Sequence, residues 1–320
     1  MFSLSELQRA AAVVGSHLPA TPQLHWPLLS QRAGASVWVK HENHLPTGAF
    51  KVRGGVMLAH RLQQAAQDTG RCVPGLISAT RGNHGQSLGW AGARFGLPVT
   101  IIVPFGNSAE KNAAMKGYGV RLIEHGADFE EARDEANRRA AEEALLFVPS
   151  FAPDLVIGVA TYALELFQQA PPLDAVYVPI GLGSGICGTI LARNLLGLKT
   201  QVIGVQSTGA DSYARSFSAG QMVPGNRANT KADGIAVRQP DPEALRIILG
   251  GAESIITVPD AAIASAIRAY WTDTHNLVEG AGAAPLAALI QDSAATAGKT
   301  VGLIASGGNI DLALFRSWVG

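Results

Sequence analysis

Residues 175–188 decide how this chain folds, and they read AVYVPIGLGSGICG. The apolar, β-branched run at the start is typical of a strand buried in a parallel sheet. The glycines that follow end the strand and lead into a helix-like run. Glycines let successive backbone N–H groups point into one concavity, and the positive end of a helix attracts anions. The segment therefore predicts a phosphate-binding loop in an α/β fold.

Two other interpretations also fit this loop. Residues 183–188 also fit G-x-G-x-x-G, the fingerprint of dinucleotide binding. That function requires an Asp or Glu after the next strand to hold a ribose, whereas the run Val202–Val205 is followed by Gln206, Ser207 and Thr208. The sequence therefore disfavours a dinucleotide, and a plain glycine-rich turn stays open.

Short β-branched runs alternate with helix-like segments along the whole chain, a pattern typical of parallel sheets covered by helices on both faces. Predicted strands cover 76–80, 99–103, 120–123, 175–180, 201–205, 254–258 and 300–305, and predicted helices in the first half cover 86–95, 109–117 and 129–144. The sequence thus predicts an α/β protein with two three-layer αβα domains. A small domain of residues 76–148 is inserted in a large one built from residues 1–75 and 149–320.

A second segment, residues 46–55, reads PTGAFKVRGG and places one lysine, Lys51, between glycines and an aromatic ring. A lysine becomes nucleophilic when a partly buried, cation-rich site lowers its pKa, and it then forms Schiff bases with carbonyl compounds such as pyridoxal phosphate. Arg53 lies two residues away, and the ring of Phe50 is placed to pack on a planar ligand. The alternative is a lysine on the solvated face of the helix that begins here.

With both segments in view, the chain resembles the serine/threonine dehydratase branch of the fold-type-II pyridoxal-phosphate enzymes over nearly its whole length. In that family the lysine segment reads Ser-Phe-Lys-x-Arg-Gly, and residues 49–54 match it as AFKVRG. Four further matches follow in the family's order: GNHGQ at 82–86, ADGI at 232–235, EGAGA at 279–283 and SGGN at 306–309. Five matches in order make the resemblance specific.

The resemblance implies how the cofactor, pyridoxal 5'-phosphate, is bound. Lys51 would form the Schiff base and then move the α-proton, while Phe50 and Glu279 would lie near the ring. Asn83 would hydrogen-bond the phenolic oxygen, and Ser306 would face the pyridine nitrogen. The phosphate would be bound by the backbone of Gly181, Leu182, Gly183, Ser184 and Gly185.

The resemblance also implies a substrate site next to the cofactor, formed by Thr80, Arg81, Gly82, Asn83 and His84. Four of these, all except Arg81, would offer donors to the substrate carboxylate at a strand-to-helix junction, where N–H groups are free. A structural role for His84 stays open. Members that racemise serine carry a serine as the second base where this chain has Arg81. Since arginine stays protonated, racemase activity is not expected. Arg81 would pair with a second carboxylate or polar group of the substrate, or reach solvent.

A second departure from the family pattern concerns a divalent-cation site that some members have. Where those members have acidic ligands, this chain has Gln206 and Ser212, although Asp211 lies nearby. Hard cations prefer carboxylates. The sequence therefore predicts no metal.

Composition favours a cytoplasmic enzyme with a small-molecule substrate. The 320 residues are 47% hydrophobic and 16% charged, with a formal net charge of zero, so nothing in the charge favours nucleic acid or an anionic membrane as a partner. Only two cysteines occur, and the N-terminus has the pattern of a capped helix rather than a signal peptide. No membrane span is expected. The resemblance implies a homo-oligomer, most simply a dimer.

The predicted function is that of a pyridoxal-phosphate-dependent lyase. It would remove water and then ammonia from a 3-hydroxy amino acid such as L-threonine or L-serine. Little sequence follows Asn309, so no regulatory domain and a catabolic role are expected. One alternative is a dehydratase for phenylserine, 3-hydroxyaspartate or a hydroxyectoine-type compound, suggested by Arg81. Others are a racemase, which Arg81 disfavours, and a non-catalytic binding protein, which would be expected to have lost Lys51.

Overall fold

The structure is a computed structural model that describes residues 1–225 and 228–320. Its helices are α1 Leu4–Gly15, α2 Pro27–Ala33, α3 Lys51–Thr69, α4 Asn83–Phe95, α5 Ala109–Gly117, α6 Phe129–Glu142, α7 Pro153–Gln169, α8 Ser184–Leu195, α9 Ser212–Ala219, α10 Pro242–Gly251, α11 Asp260–Thr274, α12 Gly280–Gln291, α13 Ser293–Thr296 and α14 Leu312–Val319. Its strands are β1 Gln23–His25, β2 Ser36–His41, β3 Leu76–Ala79, β4 Val99–Val103, β5 Arg121–Glu124, β6 Leu146–Phe147, β7 Ala175–Pro179, β8 Gln201–Ser207, β9 Ser254–Val258 and β10 Thr300–Ala305.

The larger of two sheets has six strands in the order β1-β2-β10-β7-β8-β9. Only the edge strand β1 runs antiparallel to its neighbour, and the other pairs are parallel. The four predicted strands of the second half of the chain form β7 to β10. Every residue of β7 is buried, as expected for a strand with helices on both faces. The sequence interpretation missed β1 and β2, of which β2 pairs with β10.

The smaller sheet has four parallel strands in the order β5-β4-β3-β6. All four lie between Leu76 and Phe147, whereas no strand of the larger sheet falls in that interval of the described chain. The two-residue strand β6 was not predicted. The boundaries of the predicted inserted domain, residues 76–148, stay a prediction.

Helix α3 packs on α4, which follows the first strand of the smaller sheet, and on α7, which precedes β7 of the larger sheet. Its approach to α7 requires a glycine, because a Cβ added at Gly54 would lie 2.9 Å from the backbone oxygen of Leu155. Lys51 is the first residue of this helix. The packing of α3 on both neighbours therefore fixes where the lysine lies.

Two helix ends in the structure differ from the prediction. Helix α4 begins at Asn83, three residues before the predicted start, and α6 ends at Glu142 rather than at residue 144. Among the described residues no helix combines the length and the apolar character that a membrane crossing needs. Strands β3, β7 and β10 all end at one cleft between the sheets, and parallel α/β sheets bind ligands at such carboxyl ends.

Candidate active site

A cavity of about 840 Å³ lies between the two sheets. It is lined by every residue that the sequence predicted for the site: Phe50, Lys51, Thr80, Arg81, Gly82, Asn83, His84, Gly181, Leu182, Gly183, Ser184, Gly185, Glu279 and Ser306. These residues come from five separate segments of the chain. Their individual roles stay predictions, but the fold brings them to one place.

Lys51 lines this cavity, and its side chain is partly buried. Its Nζ lies 4.8 Å from the centroid of the Phe50 ring. Burial lowers the pKa of Lys51 to about 8, and the nearby carboxylate of Glu279 only partly opposes that shift. The start of α3 also carries positive partial charge, which disfavours an ammonium. A substantial fraction of this amine is therefore neutral near physiological pH, as a nucleophile requires.

The segment before Lys51 is held by the loop that follows β10. The backbone N–H of Phe50 donates to the carbonyl of Ser306 at 3.0 Å, and that of Gly308 donates to the carbonyl of Gly48 at 2.8 Å. Ser306 is buried, yet its hydroxyl makes no hydrogen bond within the described part of the chain. A polar group of this kind on a cavity wall is available to a ligand.

A buried ionic network lies behind Lys51, around the guanidinium of Arg53. Arg53 donates to both oxygens of Glu42, at 2.7 and 3.0 Å, and to both oxygens of Glu165, at 2.7 and 2.9 Å. Lys40 donates to Glu165 at 2.6 Å. Arg53, Lys40 and Glu42 are fully buried. Two cations and two anions thus satisfy one another without a ligand.

Three polar side chains form a chain across the cavity wall. Asn309 donates to the amide oxygen of Asn83 at 2.8 Å, and Asn83 donates to Glu279 at 2.7 Å. The second carboxylate oxygen of Glu279 is buried and has no partner within the described residues. Burial raises the pKa of Glu279, and the charge of Lys111 opposes that rise. The chain fixes the orientation of the Asn83 amide at the start of α4.

The glycine loop between β7 and α8 forms a concave cradle. Gly183 has φ +103°, a conformation that other residues rarely adopt, and a Cβ at Gly181 would lie 2.5 Å from the backbone oxygen of Gly234. Helix α8 begins at Ser184, so unpaired N–H groups point outward there. The hydroxyl of Tyr162 holds the following turn by donating to the carbonyl of Gly185 at 2.9 Å. The cradle fits a phosphate, and with Lys51 and Ser306 in the same cavity the residues fit pyridoxal phosphate.

Thr80 and His84 flank the turn between β3 and α4. The hydroxyl of Thr80 accepts the N–H of Gly82 at 3.1 Å, which shapes the turn. Burial and the charge of Lys51 lower the pKa of His84 to about 3, although a hydrogen bond with the Val148 backbone opposes that shift. His84 is therefore neutral at physiological pH. Its Nε2 is buried and unpaired within the described residues, so the choice between a structural and a substrate-binding role stays open.

The charged residues at the cavity mouth were not recognised from the sequence. Lys111 of α5 pairs with Asp233, and Arg238 pairs with Asp128 and Glu130 at the start of α6. Burial alone would lower the pKa of Lys111, but Asp233 raises it, so the amine stays charged. Asp233 lies in one of the family motifs, whereas nothing in the sequence signalled the other contacts, which join segments about 110 residues apart.

Gln206 and Ser212, which stand where some family members have cation ligands, lie outside the cavity lining. The side-chain oxygen of Gln206 accepts the N–H of Ala214 at 2.9 Å, and the Ser212 hydroxyl donates to the carbonyl of Val237 at 3.1 Å. Both side chains thus bond to backbone groups of the protein. The absence of a metal remains a prediction.

Comparison with known proteins decides the family. A family model described as pyridoxal-phosphate dependent enzyme matches residues 14–307. The chain belongs to that family. The L-threonine ammonia-lyase of Geobacter sulfurreducens is 34% identical over 314 residues, which are 98% of this chain and 77% of that protein. The beta-hydroxyaspartate dehydratase of Paracoccus denitrificans is 32% identical over 297 residues, 92% of each chain.

A solved structure agrees with these relatives. A threonine deaminase from T.th. superposes with a TM-score of 0.90 at 29% identity, covering 97% of this chain and 99% of that one. The predicted family branch, α/β fold and cofactor are therefore confirmed. The protein is a pyridoxal-phosphate-dependent lyase of the ammonia-lyase type.

Proposed function

We propose that this protein removes water and then ammonia from a 3-hydroxy amino acid, yielding a 2-oxo acid. The observation that supports this most is the place of Lys51, a partly buried amine with a lowered pKa in the same cavity as a glycine cradle and the free hydroxyl of Ser306. The water lost in the first stage is regained when the imine hydrolyses. The net products are therefore the 2-oxo acid and ammonia, so that threonine would yield 2-oxobutyrate.

When bound, pyridoxal phosphate supplies an electron sink that acidifies the α-proton of an amino acid and lets a β-substituent leave. Lys51 would hold it covalently, and the backbone of residues 181–185 would bind its phosphate. Ser306 would offer a neutral hydroxyl to the ring nitrogen. Lys51 Nζ would also accept the α-proton of the bound amino acid, which its lowered pKa favours at neutral pH.

The turn between β3 and α4 would bind the substrate carboxylate. The N–H groups at the start of α4 have no partner within the helix, and Gly82 brings the backbone close to the cavity. Asn83 is already oriented by Asn309 and Glu279. A carboxylate held here by fixed donors would keep the α-carbon near Lys51.

The names of the relatives support this reaction class but not one substrate. One relative is called a threonine ammonia-lyase and another a hydroxyaspartate dehydratase. Threonine, serine and hydroxylated amino acids with other side chains are therefore all candidates. A racemase function is not favoured, because Arg81 stands where a second base would be needed and an arginine stays protonated.

The test is the release of 2-oxo acid and ammonia by purified, cofactor-loaded protein. The panel contains both enantiomers of serine and threonine, the 3-hydroxyaspartate isomers and phenylserine. We expect turnover with at least one of them, and a loss of at least 10³-fold in kcat for Lys51→Ala. A Lys116→Ala variant, which removes an exposed lysine of α5, is the matched control. Absence of turnover with every compound, despite full cofactor loading, would refute the proposed function.

We further propose that residues 76–148 form the inserted domain and that the chain is a cytoplasmic homodimer. All strands of the smaller sheet fall within residues 76–148, which supports the first point. Trp271 and Leu312 are about half exposed on α11 and α14, two helices that pack together, which is compatible with a second copy covering them. The two cysteines are free. Limited proteolysis near residues 75 and 148 tests the domain boundaries. Sedimentation analysis tests the dimer, and cell fractionation tests the cytoplasmic location.

A further inference from the structure

We propose that Arg81 binds a second carboxylate of the substrate, so that the preferred substrates are 3-hydroxy amino acids with an acidic side chain, such as 3-hydroxyaspartate. This inference rests on the proposed function and narrows it to a substrate class. For 3-hydroxyaspartate, elimination would yield oxaloacetate and ammonia. The water that leaves in the first stage returns in the hydrolysis of the imine, so no oxidant or reductant is required.

The position of Arg81 is the first support. It follows Ala79, the last residue of β3, by two positions, and Gly82 alone separates it from α4, so it borders the turn where the substrate carboxylate is proposed to bind. Its side chain is exposed and lines the cavity. An α-carboxylate at the start of α4 would thus leave the rest of a short substrate within reach of this guanidinium.

The second support is that Arg81 is unpaired while its neighbours are paired. Within the described residues, Lys111 and Arg238 each form ion pairs with acidic residues across the cavity, and Arg133 lies 3.7 Å from Asp134. Arg81 forms neither an ion pair nor a side-chain hydrogen bond in that part of the chain. A planar guanidinium left with five unused donors matches a carboxylate in a bidentate geometry.

Asp128 is an acidic group whose pKa is lowered chiefly by a hydrogen bond from the Glu131 backbone and also by the charge of Arg81, which lies close enough to act on it. Its carboxylate, however, already has other hydrogen-bond partners. Its carboxylate accepts the N–H of Glu131 at 3.1 Å and a hydrogen bond from Arg238 at 3.2 Å. It caps α6 in this way, so its hydrogen bonds serve the fold. The guanidinium of Arg81 therefore keeps its donors for a ligand that brings its own negative charge.

The experiment compares two substrates in the cofactor-loaded protein. The ratio of kcat/KM for 3-hydroxyaspartate to that for threonine is measured in the native protein, Arg81→Gln, Arg81→Lys and Arg133→Gln. We expect the ratio to fall roughly 10- to 100-fold in Arg81→Gln, the usual size of a lost charged hydrogen bond. Arg81→Lys should recover part of it, because the charge returns without the bidentate geometry. Arg133→Gln, the control from the same cavity, should change it less than threefold.

Binding of succinate and of propionate, measured by calorimetry, provides a second readout that needs no turnover. Succinate should bind the native protein more tightly than propionate, and Arg81→Gln should remove that preference. If no compound in the panel is turned over, the proposed function fails, and the succinate preference still decides whether Arg81 binds a carboxylate. An unchanged substrate ratio in Arg81→Gln, or an unchanged succinate preference, would overturn the inference. Denaturation midpoints verify that each variant is folded.

Discussion

The charges behind Lys51 and the charges around the mouth of its cavity are arranged in opposite ways. Behind the lysine, Arg53 and Lys40 are matched by Glu42 and Glu165 in a sealed network with short hydrogen bonds. At the mouth, the pairs are exposed or join the two sheets, and Arg81 has no partner in the described residues. Charges with internal partners hold the fold, whereas Arg81 at the mouth remains available to a ligand.

The largest effect should come from breaking the sealed network with Arg53→Met. This change leaves the buried carboxylate of Glu42 and the partly buried carboxylate of Glu165 without their main partner. Loss of a buried ionic partner reduces the free energy of unfolding by about 3–5 kcal/mol. Urea denaturation measures the loss. The control is Arg61→Met on the same helix, which removes a partly exposed pair with Asp154 and should cost no more than about 1 kcal/mol. If both variants lost the same free energy of unfolding, the buried network would stabilise the fold no more than a partly exposed ion pair does.

The next largest effect should be a loss of stability at acidic pH, caused by two buried histidines that are neutral in the folded protein. Burial lowers the pKa of His41 to about 4 and of His84 to about 3, so the unfolded chain binds more protons than the folded one below pH 6.5. Stability should therefore fall with decreasing pH in that range, by about 1.4 kcal/mol per pH unit for each histidine. His41 also accepts a hydrogen bond from Trp26 at 3.0 Å, which protonation would break.

A His84→Gln variant isolates one of these contributions. Glutamine does not titrate, so denaturation midpoints between pH 6.5 and 5 should depend on pH less steeply than in the native protein. The same pH dependence in both proteins would show that His84 is protonated or solvated in the folded state and does not belong to the neutral interior.

Lys51 lies between the buried network and the cavity mouth. Its pKa of about 8 should determine how the rate of cofactor binding by the apoprotein depends on pH. Only the neutral amine reacts, so the capture rate should rise about tenfold per pH unit below pH 8 and level off above it. Stopped-flow absorbance follows the reaction, and Nα-acetyl-lysine serves as the reference amine. A rate that continues to rise toward pH 10.5, as expected for that reference, would place Lys51 among the solvated charges.

The smallest effect on stability is expected at the mouth. Arg238→Gln removes the pairs with Asp128 and Glu130, which are all partly exposed, so the free energy of unfolding should change by less than about 1 kcal/mol. Added salt should reduce even that difference, because exposed charges are screened. A loss above 3 kcal/mol, measured by the same denaturation assay, would mean that the mouth is as structural as the interior.

Much of the fold followed from local sequence, and the exceptions have a physical reason. The buried strands β3, β4 and β7 to β10 are continuous apolar runs, so they were predicted within a few residues. The two-residue strand β6 has too short a pattern to recognise, and β2, which reads SVWVKH, has only three consecutive apolar residues before two polar ones. The predicted start of helix α4 was three residues too late, because the first turn of the helix contains a glycine.

The lining of the candidate site was predictable only where the sequence has motifs. Lys51, the glycine loop and the turn before α4 each lie in short segments whose composition indicates their chemistry. The network of Arg53 and the mouth pair of Arg238 with Asp128 depend on contacts between distant segments. No local pattern specifies such contacts, since they arise from how the two sheets are placed around α3.

The order of strands in the larger sheet has a consequence for biosynthesis. β10 is the last strand to be translated, yet it lies between β2 and β7 in the middle of the sheet. On the ribosome, the antiparallel pair of β1 and β2 therefore waits until residues 300–305 have been made before it can join its neighbour in the sheet. The hydrogen bond from Phe50 to Ser306 forms at the same late moment. Nascent chains stalled before residue 300 should consequently be unable to load the cofactor, however long they are given.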